Sequence, residues 1–247
     1  MTDVLQPLVE LPGVREAADR ARDALAEVHR HKVNRRGWPG TAAEAAVRAA
    51  RSSSAIDGGG TELPPEGEPA DPILAGALRV GQALDGEALR NLVAVWQRAP
   101  LQALARLHLL AAADLVTDPE RLGRPRSASG VAERLDLLAQ TVLTSSAPAP
   151  VLAAVVHGEL LALRPFGSAD GLVARAASRL VSVSTGLDPH SLGVPEVFWM
   201  RRRQAYLDAA EGFGAGTTDG VGGWVILCCG ALEDGAREAR SIADARG

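Results

Sequence analysis

The sequence predicts an all-α fold. Apolar residues recur at three- and four-residue spacing along most of the chain, while the two-residue alternation of a half-buried strand is almost absent. Only 3% of residues are aromatic, so the 47% hydrophobic content rests on Ala, Leu and Val, and helix-compatible volumes must build the core. At 247 residues the chain is long enough for one large core or two small ones, and too apolar for a disordered polypeptide.

The elements follow in order. Val14 to His31 and Thr41 to Ala55 read as two helices, parted by the breaker Asn34-Arg35-Arg36-Gly37-Trp38-Pro39-Gly40. Thr41 with Glu44 three residues on has the form of a capping box. The Gly-, Pro- and acid-rich stretch from Gly58 to Pro69 tolerates neither helix nor strand. It suggests an N-terminal helical arm over 1–57, a linker over 58–70 and a helical domain over 71–247.

Within that domain, helices are expected over Pro72 to Gly81, Gly86 to Arg98, Leu101 to Val116, Val131 to Thr144 and Pro150 to Leu163. The last of these is apolar on nearly every side, which marks a helix buried in the body rather than laid on its surface. The loop from Asp118 to Gly130, with Arg121, Arg124 and Arg126, is the place for a short strand pair or a flap. A helix from Gly171 to about Thr185, another from Pro195 to Ala210 and a broken one from Gly223 towards Ala245 complete the chain.

Composition narrows the function. With 26 basic and 30 acidic residues the chain is mildly acidic, which implies no broad nucleic-acid-binding surface; the run Arg201-Arg202-Arg203 reads as a solvated helix face. The only cysteines, Cys228 and Cys229, are adjacent inside an apolar run, a pattern of buried thiols in a reducing compartment. No stretch approaches the roughly 20 apolar residues of a membrane span, so a soluble, cytoplasmic protein without a membrane partner is expected. His29 and His31 point to different helix faces, and no metal site is expected there or elsewhere.

Chemistry concentrates at Arg164-Pro165-Phe166-Gly167-Ser168-Ala169-Asp170-Gly171-Leu172-Val173-Ala174-Arg175, a Gly-containing turn that opens a helix. Free N–H groups and the positive end of the dipole make such a turn an anion site, with Arg175 one turn inside. A plain corner, with Ser168 or Asp170 as N-cap and Arg175 on the surface, is the other reading.

This segment resembles the signature of Fic-domain proteins, His-Pro-Phe-x-Asp/Glu-Gly-Asn-Gly-Arg-x-x-Arg, and aligns with it without a gap. Pro165, Phe166, Gly171 and Arg175 match; His157 lies seven residues before Arg164, as a histidine does in the family. Leu107-His108, the flap-like Leu122-Gly123-Arg124-Pro125-Arg126, Tyr206 and Trp224 extend the resemblance over roughly Leu101 to Ala236. In the arm, Ser53-Ser54-Ala55-Ile56-Asp57-Gly58 resembles the family's inhibitory motif, Ser/Thr-x-x-x-Glu-Gly/Asn, with Asp for Glu. The resemblance implies a helical bundle around a buried helix hairpin, an inhibitory arm site at Ser53, Asp57 and Gly58, and a nucleotide or anion cradle at Gly167, Ser168, Gly171 and Arg175. ATP or another nucleotide with Mg²⁺ is the ligand it would imply.

The departures are chemical. Arg164 stands where the family has its base, and a guanidinium cannot accept a proton near neutrality. Ser168 replaces the Mg²⁺-binding acid, Asp170 the Asn and Leu172 the first Arg. His157, two turns or about 10.5 Å from Arg164 along the helix, is too far to substitute, and both it and His108 read as core histidines. The leading expectation is therefore a catalytically degenerate Fic-fold protein that binds a protein partner or a nucleotide or phosphate anion, with Asp57 pairing to Arg175. The alternative is an active nucleotidyl- or phosphoryl-transferase using Asp170 as base.

Overall fold

A computed structural model describes residues 3–247. These residues form the α-helices α1 (Gln6–Val9), α2 (Val14–Arg30), α3 (Asn34–Ile56), α4 (Pro72–Ala83), α5 (Gly86–Trp96) and α6 (Pro100–Ala112), then α7 (Val131–Thr144), α8 (Ala149–Leu163), α9 (Asp170–Ser184), α10 (Pro195–Arg201), α11 (Arg203–Gly214) and α12 (Thr218–Asp244). No strand occurs among the described residues, so the expected strand pair in the 118–130 loop is absent; a 3₁₀ turn over Pro119–Arg121 takes its place.

The core is organised by α8, which is buried on both sides. Leu152, Val156 and Leu160 join a cluster built with α4 to α7 and α9, while Val151 and Ala154 join a second one built with α2, α10, α11 and α12. The even spread of apolar residues around α8 is thus the sequence mark of a helix between two cores. Gly158 lets α12 close in: a Cβ there would lie 2.6 Å from Trp224 Nε1, whose N–H donates to Ala154 O at 2.7 Å.

Four local expectations are corrected. The segment 34–40 breaks nothing, because α3 runs through Pro39 to Ile56. Tertiary contacts outweigh the poor propensity of Gly37, Pro39 and Gly40: Asn34 Nδ2 donates to Val28 O at 2.9 Å, and the Trp38 ring stacks on His190 with centroids 4.1 Å apart. Thr41 consequently sits inside the helix, where its hydroxyl donates to Asn34 Oδ1 at 2.7 Å instead of capping an N-terminus with Glu44. The expected single helix from Pro195 divides at Arg202, and the last helix starts at Thr218 and continues unbroken, with Thr217 Oγ1 accepting from Gly220 N at 3.1 Å.

The segment between α3 and α4 has no helix, yet it is tied down. Ser54 Oγ donates to Gly60 O at 2.8 Å, Arg51 Nε donates to Thr61 O at 2.7 Å, and Asp71 accepts from both Gly60 N and Leu74 N, which caps α4. These bonds tie the segment to α3 and α4, and the end of α3 lies against Arg175 of α9, where the conspicuous residues of the sequence meet.

Candidate functional site

The turn between α8 and α9 is backbone-strained and externally braced. Arg164 ends α8 at φ 47°, and Ala169 precedes α9 at φ 51°, both in the left-handed region that side-chain-bearing residues avoid. Arg126, from the loop before α7, donates to Leu163 O and Arg164 O at 2.8 Å each, and its N–H donates to Pro165 O at 2.8 Å. A guanidinium on the last carbonyls of a helix meets the negative end of its dipole. From inside, Asp170 Oδ1 accepts from Phe166 N at 2.9 Å.

Asp170 therefore folds back to hold the turn and does not cap α9; the N-cap, Ala169, has no side-chain bond. Burial raises the Asp170 carboxyl above the ordinary carboxylate range, with the Phe166 and Gly167 N–H groups and Arg164 and Arg126 opposing it. Its second oxygen, Oδ2, is buried without a hydrogen-bond partner.

Ser168 belongs to a different network. Gly123 N donates to His108 Nδ1 at 2.9 Å, which places the imidazole proton on Nε2, and that N–H donates to Ser168 Oγ at 3.0 Å. The His108 ring stacks on Phe166 with centroids 4.2 Å apart. Burial brings the His108 imidazole down to about 4, the Ser168 bond only partly opposing it. His108 is thus a neutral donor to Ser168, the wrong polarity for activating that hydroxyl as a nucleophile.

At the start of α9 the arm supplies a counterion. Arg175 is only 2% exposed, which excludes the surface position that a plain corner would give it. Its Nη2 lies 2.7 Å from Asp57 Oδ2 and donates to Ser53 O at 3.1 Å; its Nε donates to Ser53 Oγ at 2.6 Å, and its Nη1 donates to Tyr206 OH at 3.3 Å. Burial opposes the Arg175 charge, yet Asp57 and Tyr206 hold the guanidinium above the usual arginine range. Tyr206 OH continues the chain to His157 Nε2 at 2.9 Å, and burial with nearby Arg175 keeps that imidazole well below its ordinary value. The line Asp57, Arg175, Tyr206, His157 runs from the surface into the core.

Asp57 also covers the helix N-terminus. A Cβ on Gly171 would come within 2.6 and 2.7 Å of its two carboxylate oxygens, so the acid rests directly on the bare backbone of the first turn. Beside it opens a groove of about 380 Å³ that includes Asp57, Arg164, Ser168, Asp170, Gly171 and Arg203 in its lining. Gly167 is exposed and does not line the groove, and Gly58, at φ 88°, faces open space. Arg203, read in the sequence only as part of a solvated basic run, belongs here; its Nε donates to Ile56 O at 2.8 Å, fixing it at the groove's edge. The basic run it belongs to was the available signal.

The residues at the site do not fit the Mg²⁺ that the resemblance implies. A divalent cation of this kind needs several hard oxygen ligands. Ser168 is engaged by His108, one Asp170 oxygen is spent on Phe166 N and the other is buried. No cluster of three His, Cys, Asp or Glu suited to a metal occurs among the described residues. A phosphate chain would also have to displace the Asp57 carboxylate from Gly171.

No family model matches the sequence, and no curated protein is significantly similar to it. Among solved structures, a Fic family protein from Desulfovibrio desulfuricans G20 aligns with a TM-score of 0.60 at 18% identity, over 93% of this chain and 74% of that one. Fic-1 from C. elegans aligns with a TM-score of 0.72 at 17% identity, over 98% of this chain and 76% of that one. At such identities the likeness is one of architecture: the chain has a Fic-like, all-α fold.

Proposed function

We propose that this chain acts by binding and not by group transfer, as a catalytically degenerate Fic-fold protein whose turn groove receives an anionic group of a protein partner or a nucleotide. The observation that carries the reading is the state of the two carboxylates nearest the turn. Asp170, the base of the transferase reading, has one oxygen bound to Phe166 N and the other buried, which leaves neither presented to a substrate hydroxyl. Asp57 lies on Gly171 and pairs with Arg175, so the arm itself occupies the anion position. Arg164 and Arg203 remain at the groove to attract an anion.

Incubation with labelled nucleoside triphosphates, Mg²⁺ or Mn²⁺ and a cell lysate tests this directly. Neither the wild type nor Asp57→Ala should transfer label. Titration calorimetry with ATP, GTP and their diphosphates should give tighter binding to Asp57→Ala than to the wild type, because the competing carboxylate is gone. The second reading, a transferase with Asp170 as base, is favoured by the raised Asp170 carboxyl and its unpartnered oxygen. Protein labelling that Asp170→Asn abolishes would establish it and overturn the first.

A further inference from the structure

Four arginines, at the turn and at the junction of α10 with α11, form no ion pair among the described residues. Arg164, Arg201, Arg202 and Arg203 are exposed, and no carboxylate among the described residues forms an ion pair with any of them. The acids beside them have other partners: Asp57 pairs with Arg175, Glu238 with Arg48, and Asp234 with Arg237 in the wall of the second groove. A solvated helix face does not describe this run, since Arg203 is anchored on Ile56 O and Arg202 lies 4.3 Å over the Phe198 ring.

Arg164 and Arg203 stand over an apolar floor. The turn groove is lined by Ile73, Leu161 and the unusually exposed Leu115 and Leu207, at 36% and 38%. A second groove, of about 340 Å³, sets Arg201, Arg202 and Arg237 around Val197 and Phe198, with Asp234 and Glu238 also in its wall. Consecutive residues, Arg202 and Arg203, line the two, so the grooves approach each other where α10 passes into α11.

We propose that these grooves form one docking surface for a polypeptide segment in which acidic and bulky apolar side chains alternate. The occupant follows from charge and shape together: unpaired guanidiniums call for carboxylates, and concave apolar floors call for side chains to bury. A nucleic acid would match the charge but leave the leucine floor of the turn groove unfilled, with no aromatic ring there for a base to stack on. The inference rests on the binding reading above and names the partner's chemistry.

The test is fluorescence anisotropy with a fluorescein-labelled synthetic peptide of repeating Glu-Leu-Asp-Phe, titrated with the full chain. Two control peptides replace Leu and Phe by Ser, or Glu and Asp by Lys. Binding should weaken at least about tenfold with either control, and by a similar factor in Arg203→Glu and in Leu207→Ser. Should Arg203→Glu fail to fold by circular dichroism, Arg164→Glu carries the same charge test. Equal binding of the Ser control, tighter binding of a labelled DNA duplex, or no binding of the first peptide below about 1 mM overturns the proposal. A silent peptide alongside ATP binding that Asp57→Ala strengthens would overturn this inference alone. Label transfer to protein would instead overturn the binding reading.

Discussion

His108 makes acid sensitivity of this fold calculable. Its Nδ1 accepts from Gly123 N, its Nε2–H donates to Ser168 Oγ, and its ring covers Phe166, so one imidazole joins the 118–130 loop to the α8–α9 turn. Protonation would put a proton on the nitrogen that accepts from Gly123. Burial brings its pKa from 6.5 to about 4 in the folded chain. The unfolded chain therefore takes up the proton first as pH falls. The stabilisation is complete above about pH 6.5, drains through the window below it and is gone beneath about pH 4.

A gap of roughly 2.5 pH units at 1.36 kcal/mol each is about 3 kcal/mol in all, of which about 2 kcal/mol is lost by pH 5. Urea denaturation of the wild type and His108→Asn at pH 7 and pH 5 reads this out. Asparagine keeps an acceptor for Gly123 N but does not titrate. The variant should be less stable at pH 7, having lost the ring stack and the Ser168 bond, yet its loss between the two pH values should be smaller by about 2 kcal/mol. Taking the difference cancels the contribution of buried His157. Equal losses in the two proteins would refute the assignment of His108 as a neutral, buried donor.

Further outcomes follow from single contacts. Asp57→Ala should destabilise by about 2 kcal/mol in urea, less than the 3–5 kcal/mol of a fully buried pair, because Asp57 is partly exposed and Ser53 still satisfies Arg175. Arg164→Gly should raise stability by about 1 kcal/mol, a few degrees in thermal midpoint, by relieving the left-handed backbone at φ 47°. Gly158→Ala should cost about 1–3 kcal/mol and shift tryptophan emission, since its Cβ must push Trp224 Nε1 from Ala154 O.

The fold was legible where local signals and packing agree. Val131–Thr144 lies at its expected bounds because Gly130, in the left-handed conformation, introduces it and Ser145 turns extended after it. The apolar stretch of α8 likewise declared its double burial. The signal failed at Gly37-Trp38-Pro39-Gly40, where partners on the Asp188-His190 loop and on Val28 decide the conformation. At the site, the pairing of Asp57 with Arg175, 118 residues apart in sequence, was legible only through the resemblance. The bond between His108 and Ser168 carried no sequence signal, although each residue was conspicuous by itself, because nothing in a 60-residue separation announces a hydrogen bond.

The tethered segment between α3 and α4 has a consequence for the chain as a whole. Glu62, Leu63 and Pro65 to Glu68 are exposed, while the helices on either side are held through α2 against α12, Arg203 on Ile56 O and Asp57 on Arg175. A protease cut within that exposed stretch would leave two fragments joined only by their interface. The arm would then behave as a ligand with a dissociation constant, and its displacement, rather than its unfolding, would bare Gly171.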